Sequence, residues 1–251
     1  MQETHRQSNR TWAVVLAGGS GNRLRDLTTD ARGVSVPKQY CSLTGGPSLL
    51  ELAMRRAERV VPRDNVTVIV AAQHRQWWTP ALACVTPDNV VVQPTNRGTG
   101  LGILLTVLNI VRRDPDARIV FLPSDHFVDD ELALARAART ALEQLHVDDD
   151  LLMLGITPES ADPELGYIVP ADHADGVALR VARFVEKPAP AVAERLLASR
   201  CYWNSFIFAA RARLLVSLFE AYCPAELAQM RNALRADANS RAHLLASLYE
   251  R

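Results

Sequence analysis

The chain has 251 residues, 48% of them hydrophobic and 22% charged, which suits a packed globular protein and excludes a disordered or fibrous one. Basic and acidic residues both total 28, so no net field exists to hold nucleic acid or an anionic membrane, and neither is expected as a partner. Residues 1–11 are too polar for a secretory leader, no apolar run nears the roughly 18–20 residues of a membrane span, and Cys41, Cys84, Cys201 and Cys223 lie too far apart for a zinc site or disulfide framework. A cytoplasmic protein with reduced thiols is the expectation.

Taken in chain order, Thr11–Ala17 is a short apolar run that reads as a buried strand delivering a glycine loop. Ser48–Val60 carries apolar residues at helical spacing, Asn65–Val70 and Asn89–Val92 read as strands, and Leu101–Arg112 is a helix apolar nearly all round. Arg118–Leu122 is a strand halted by Pro123, Glu131–Leu145 an amphipathic helix, and Leu151–Ile156 another strand. Strands alternating with helices of this length predict an α/β fold with a mostly parallel sheet covered on both faces. Beyond Pro158, Tyr167–Pro170 and Val177–Glu186 look like a small antiparallel insertion, followed by a helix at Ala191–Ser199 and a strand at Tyr202–Ala209. Helices at Ala212–Tyr222, Ala225–Ala236 and Arg241–Glu250 complete the chain. After a polar tail at 1–11, the reading is one domain over 12–251, with a nucleotide-binding part at about 12–157, a sugar-phosphate part at about 158–210 and C-terminal helices at 211–251.

In open α/β sheets ligands bind beyond the carboxyl ends of strands, so the loops there are where chemistry is sought. Leu16, Ala17, Gly18, Gly19, Gly21 and Arg23 form such a loop, whose backbone N–H groups can converge on an anion, or which serves only a chain reversal. It matches neither the dinucleotide fingerprint, because Leu24 stands at the third glycine, nor a P-loop, because no Gly-Lys-Ser/Thr follows. Of the 28 basic residues only Lys38 and Lys187 are lysines, and 26 are arginines. Where arginine serves for generic cations, a compact flexible ammonium suited to a phosphate oxygen reads as chosen. Lys38 follows Pro37 and, with Arg23, can clamp a triphosphate. Gln93, Asn96, Gly98 and Thr99 offer groups to a base and ribose, or a plain polar helix start. Asp125, just past a strand end, suits Mg²⁺ or a loop cap, with His126 orienting its neighbours.

Together L-A-G-G-S-G-N-R-L, V-P-K-Q-Y, N-R-G-T, P-S-D-H, G-Y-I, V-E-K-P and W-N-S resemble, over about residues 12–210, the sugar-1-phosphate nucleotidylyltransferases, and among them the mannose-1-phosphate guanylyltransferases most. The cytidylyltransferases of isoprenoid synthesis are a weaker match, sharing only the opening loop and the lysine step. The resemblance implies a Rossmann-like sheet and the conversion of a nucleoside triphosphate and a sugar 1-phosphate, GTP and mannose 1-phosphate in the nearest case, into GDP-mannose and pyrophosphate with Mg²⁺. It implies Leu16, Ala17, Gly18, Gly19, Gly21 and Arg23 at the nucleotide, Lys38 at the α-phosphate, Gln93, Asn96, Gly98 and Thr99 around the nucleoside, and Asp125 on the metal. Gly166, Tyr167, Glu186 and Asn204 would meet the sugar, with Lys187 on its phosphate. A homo-oligomer is compatible with this class.

Four features depart from the pattern. The Arg23 to Lys38 interval is long, which predicts an extended loop at Asp26–Ser35. Phe206 stands where a glycine usually follows W-N-S, and Gly100 where alanine usually follows threonine. A later W-x-D-x-G segment, whose aspartate is a second metal ligand in the family, is absent before Arg251, leaving Asp237 as the first carboxylate to consider in its place. The last helix, Arg241–Glu250, also lacks a stop signal, so the chain is expected to be a fragment of a longer protein. The alternative to an enzyme is a nucleotide-sugar-binding protein without turnover.

Overall fold

The computed structural model describes residues 10–19, 28, 29, 33, 35–43, 45–145, 151–171 and 178–250. They form two compact units, Met1–Leu151 with Ala209–Arg251, and Leu152–Phe208. The smaller unit thus begins a few residues ahead of the expected 157/158 division, taking nearly all of the strand at Leu151–Ile156 with it.

In the larger unit, strands β1 (Thr11–Ala17), β2 (Val66–Ala71), β3 (Val90–Gln93) and β4 (Arg118–Pro123) pair in parallel in the order β3-β2-β1-β4. β2 is buried along all six residues and β4 along five of six, which is why both read as continuous Val/Ile/Leu runs rather than alternating ones. The order steps outward from β1 to β3 and then returns to the other side of β1. That reversal puts the carboxyl ends of β1 and β4 side by side, with Leu16 in register with Pro123.

Helices α1 (Leu49–Glu58), α2 (Arg75–Ala81) and α3 (Thr99–Val111) connect these strands, α4 (Glu131–Gln144) follows β4, and α6 (Ala212–Tyr222), α7 (Pro224–Arg235) and α8 (Ala238–Glu250) come later in the same unit, after α5 (Pro190–Leu197) of the smaller one. α1 starts on a capping box in which Ser48 Oγ accepts the Glu51 N–H and Glu51 accepts the Ser48 N–H. α3 is buried over most of its length, and its two polar interior residues satisfy themselves: Thr106 donates to Gly102 O at 2.8 Å and Asn109 to Leu105 O at 2.8 Å. α2 is a helix that the sequence does not predict, because Arg75–Ala81 has no apolar period and contains Pro80. Tertiary contact forms it: Trp78 is buried and its indole N–H donates to Ala71 O at 3.0 Å.

In the smaller unit β6 (Tyr167–Pro170) pairs antiparallel with β7 (Val181–Val185) and β8 (Tyr202–Arg211), and β5 (Leu151–Ile156) pairs with β8. α5 closes a small core made of Tyr167, Ala193, Leu196 and Cys201. The antiparallel insertion is therefore present, although β7 is shorter than Val177–Glu186, and Val177 itself lies outside the described residues.

A Cβ at Gly100, in the first turn of α3, would meet nothing within 4 Å. Gly100→Ala is accordingly expected to stabilise the chain by about 0.5–1 kcal/mol through lower backbone entropy of the unfolded state. Thermal denaturation checks this, and a lower melting temperature would contradict it.

Candidate active site

The site of the larger unit is built on the ends of β1 and β4. Leu16 O accepts two hydrogen bonds from Ser124, from its N–H at 3.1 Å and its hydroxyl at 2.7 Å, which locks the two strand ends together. Gln39, missed by sequence reasoning, secures the glycine loop. Its buried amide donates to Ala17 O at 3.1 Å and to Gly19 O at 2.7 Å, while Tyr40 donates to Ala17 O at 3.4 Å. These bonds occupy the carbonyls of Leu16, Ala17 and Gly19. Gly21 and Arg23 lie outside the described residues. Of the long interval before Lys38, Thr29 bridges Ser35, and the Val36 N–H donates to Thr28 O at 3.0 Å.

Lys38 begins the short 3-10 turn Lys38–Tyr40, and its ammonium lies 3.7 Å from Asp125 Oδ2, with the two side chains 29% and 48% exposed. A pair this open to water contributes little stability, so what matters is that a cation and a carboxylate share one strand end. Arg56 of α1, also missed, fixes the loop that carries Asp125. Its side chain is 2% exposed and grips Glu131 with two bonds of 2.9 and 2.7 Å, while a third, 3.3 Å, reaches His126 O. Burial holds the His126 imidazole below the usual histidine range, an effect that Asp125 opposes.

Gln93 ends β3 and is 3% exposed. Its amide nitrogen occupies the space a Cβ of Gly18 would need, and its oxygen lies 3.0 Å from the position of a Gly102 Cβ. Gln93 thus backs the glycine loop instead of standing free in solvent. Asn96 Oδ1 accepts the Gly98 N–H at 3.2 Å, and Gly98 takes φ 80° immediately before α3, a left-handed conformation suited to glycine, with Thr99 as the first helical residue.

Beside this site Tyr40, His74 and Trp77 form an aromatic cluster, with Tyr40 stacked on Trp77 at 6.2 Å and His74 edge-on to both. Burial lowers the pKa of His74 below 6.5, and its Nδ1 has no hydrogen-bond partner among the described residues. A histidine with a lower pKa folded than unfolded takes up its proton more readily on unfolding, so its stabilisation is full above pH 6.5 and is lost as pH falls from there toward the folded pKa. Acidification from about pH 7.5 to about pH 5.5 is therefore expected to lower the melting temperature, and His74→Phe to reduce that drop. An identical pH slope in the variant would contradict this.

The smaller unit gathers the other predicted residues. A Cβ on Gly166 would lie 2.7 Å from Glu186 Oε2 and 3.3 Å from Asn204 Cβ, and the Asn204 N–H donates to Gly166 O at 2.7 Å. Asn204 Oδ1 accepts the Phe206 N–H at 3.0 Å. Lys187 lies 3.9 Å from Glu164 and holds φ 43°, while Phe206 holds φ 55°. Non-glycine residues rarely take this conformation, and the value at Phe206 gives the physical reason a glycine would suit that position. The Tyr167 side chain is fully buried in the core of the unit, and its hydroxyl donates to Asp162 O at 3.0 Å. Only its backbone adjoins Gly166, because the alternation of β6 turns the ring inward.

Asp237 is a helix cap: its Oδ1 accepts the N–H groups of Asn239 and Ser240, and those bonds, chiefly with Ser240, lower its pKa. Among the described residues no group of three or more His, Cys, Asp or Glu converges as a metal cluster, and no helix is long and apolar enough to cross a membrane.

A parallel sheet whose strand-end loops carry glycines, a lysine and an aspartate at the reversal of its order is the arrangement in which open α/β proteins bind ligands. The chain belongs to the nucleotidyl transferase family, whose model matches residues 12–241. It is 34% identical over 225 residues to a mannose-1-phosphate guanylyltransferase of Escherichia coli strain K12, covering 86% of this chain and 46% of that protein. It is 32% identical over 238 residues to the mannose-1-phosphate guanylyltransferase ManC of Salmonella typhimurium strain LT2, covering 91% of this chain and 48% of that one. The chain thus spans under half the length of these relatives. Among solved structures it is similar to one described as a mannose-1-phosphate geranyltransferase from Thermus thermophilus, with a TM-score of 0.82, 27% identity, and coverage of 96% of this chain and 67% of that one.

Proposed function

We propose that the chain is a sugar-1-phosphate nucleotidylyltransferase that joins GTP and mannose 1-phosphate into GDP-mannose and pyrophosphate. The observation that carries this reading is the meeting of Lys38 and Asp125 at 3.7 Å beside the glycine loop, at the carboxyl ends of β1 and β4. The named relatives support the choice of base and sugar.

In this reading a phosphate oxygen of the sugar phosphate attacks the α-phosphorus in line, a new P–O bond forms, and the bond to the leaving pyrophosphate breaks. A phosphate monoester, with a second pKa of about 6, is already largely dianionic at neutral pH, so no general base is needed. Positioning and neutralisation of charge do the work. Lys38 neutralises the α-phosphate and the departing pyrophosphate, Gly18 and Gly19 offer backbone N–H groups to phosphate, and Gly21 and Arg23 take the same role by likeness to the family. Asn96, Gly98 and Thr99 border the nucleoside. Lys187 holds the sugar phosphate, while Glu186 and Asn204, with Gly166 leaving room beside them, hold the sugar hydroxyls. Mg²⁺ bound with the triphosphate would supply further charge neutralisation. Asp125 fits it, because one half-exposed carboxylate suits an ion that keeps most of its shell as phosphate oxygens and water.

A thermal-shift panel tests the binding half of the reading. GTP with Mg²⁺ is expected to raise the melting temperature more than ATP, CTP or UTP does, and mannose 1-phosphate to raise it further. Absence of any nucleotide-dependent shift would contradict it.

A further inference from the structure

We propose that Phe206 limits the size of sugar that the smaller unit accepts, its ring walling the site of Gly166, Glu186 and Asn204 so that a plain hexose 1-phosphate fits and one with a bulky ring substituent does not; this rests on the sugar-phosphate reading above. Phe206 lies on β8 with φ 55°, and it is 40% exposed. Both properties count against stability. A residue with a side chain is strained in the left-handed region, and a phenyl ring left partly in water forgoes burial that would stabilise the fold. Packing alone therefore does not account for an aromatic residue at this position.

The place of the ring follows from β8. Ser205 and Ile207 are buried, so Asn204, Phe206 and Phe208 turn to the other side of the strand. Two contacts agree with this: Asn204 Oδ1 accepts the Phe206 N–H at 3.0 Å, and the Phe206 and Phe208 rings meet edge-on with centroids 5.9 Å apart. Asn204 in turn borders Gly166, where a Cβ would stand 3.3 Å from Asn204 Cβ, 3.0 Å from the tip of the Phe184 ring and 2.7 Å from Glu186 Oε2. Phe184 is 43% exposed. This face of the unit thus sets a carboxylate and an amide between two open aromatic rings. A pyranose has hydroxyls around its rim and C–H bonds on its faces, and such a mixture of polar groups and apolar walls suits it. The Phe206 ring is rigid, steadied by Phe208 and by the backbone bond to Asn204, so it cannot yield to a larger sugar as a long flexible side chain would.

Dissociation constants of mannose 1-phosphate and N-acetylmannosamine 1-phosphate, measured by calorimetry on the whole chain, test this. The second sugar differs by an acetamido group in place of one hydroxyl. The wild-type chain is expected to prefer mannose 1-phosphate, and Phe206→Gly to narrow that preference by about tenfold or more, since removing the ring relieves the overpacking of the larger sugar. Glycine takes φ 55° without strain, so this variant is expected to fold with no loss of melting temperature. Phe206→Ala removes the ring and keeps a Cβ at the same backbone conformation, and it is expected to narrow the preference as well. A wild-type chain that binds both sugars equally, or a preference unchanged in both variants, would overturn the proposal. So would a preference narrowed by glycine and not by alanine, which would assign the effect to the backbone. A wild-type chain that binds neither sugar phosphate would instead overturn the functional reading beneath it.

Discussion

Lys38→Ala is expected to lower turnover by about two to three orders of magnitude and to weaken GTP binding, while leaving the dissociation constant of mannose 1-phosphate near its wild-type value. Lys187→Ala is expected to do the reverse, weakening the sugar phosphate and sparing GTP. Each ammonium pairs with one carboxylate among the described residues, Asp125 at 3.7 Å for Lys38 and Glu164 at 3.9 Å for Lys187, and all four side chains are partly or largely exposed. Neither pair contributes much to stability, so both variants should fold with little change in melting temperature. Arginine should rescue neither fully, because a planar fork replaces a compact point charge. Calorimetric titration of each variant with each substrate reads the split. Equal loss of both affinities in both variants would refute the assignment of one lysine to each substrate.

The largest expected effect on stability comes from Arg56, which no motif marks. With its side chain 2% exposed and two bonds to Glu131, its removal leaves a carboxylate 29% exposed without its partner and deprives His126 O of a donor. Arg56→Ala is expected to cost about 3 kcal/mol in urea denaturation, and Arg56→Met, which fills the space, clearly less. Activity should fall at temperatures where the variant is still folded, because the loop carrying Asp125 has lost its anchor. A loss below about 1 kcal/mol for Arg56→Ala would contradict this account.

The elements that sequence revealed are those whose burial writes a period or an unbroken apolar run, such as β2, β4 and α3. α2 stayed hidden because its stability comes from the Trp78 to Ala71 hydrogen bond, a tertiary contact with no local pattern. In the site, residue type and position marked Lys38 and Asp125, likeness to the family marked Gly166, Glu186 and Asn204, and the structure brings Lys38 to Asp125 and Gly166 to Glu186 and Asn204. A motif names a position and does not say where its side chain points. The Tyr167 side chain is therefore found in the core, and Gln93 is buried behind the loop instead of open to solvent. Gln39, Arg56 and Tyr249 form hydrogen bonds with partners 20 to 156 residues away, and such pairings leave no trace along a single chain. Gln39 alone had a signal, its place next to Lys38 in V-P-K-Q-Y.

The most direct measurement is pyrophosphate release by the 251-residue chain with Mg²⁺ and GTP, with and without mannose 1-phosphate. The account predicts release that requires both substrates, with GDP-mannose formed in equal amount, and that is lost in Lys38→Ala. GTP binding with no release in the presence of mannose 1-phosphate would contradict it and leave a nucleotide-binding protein without turnover.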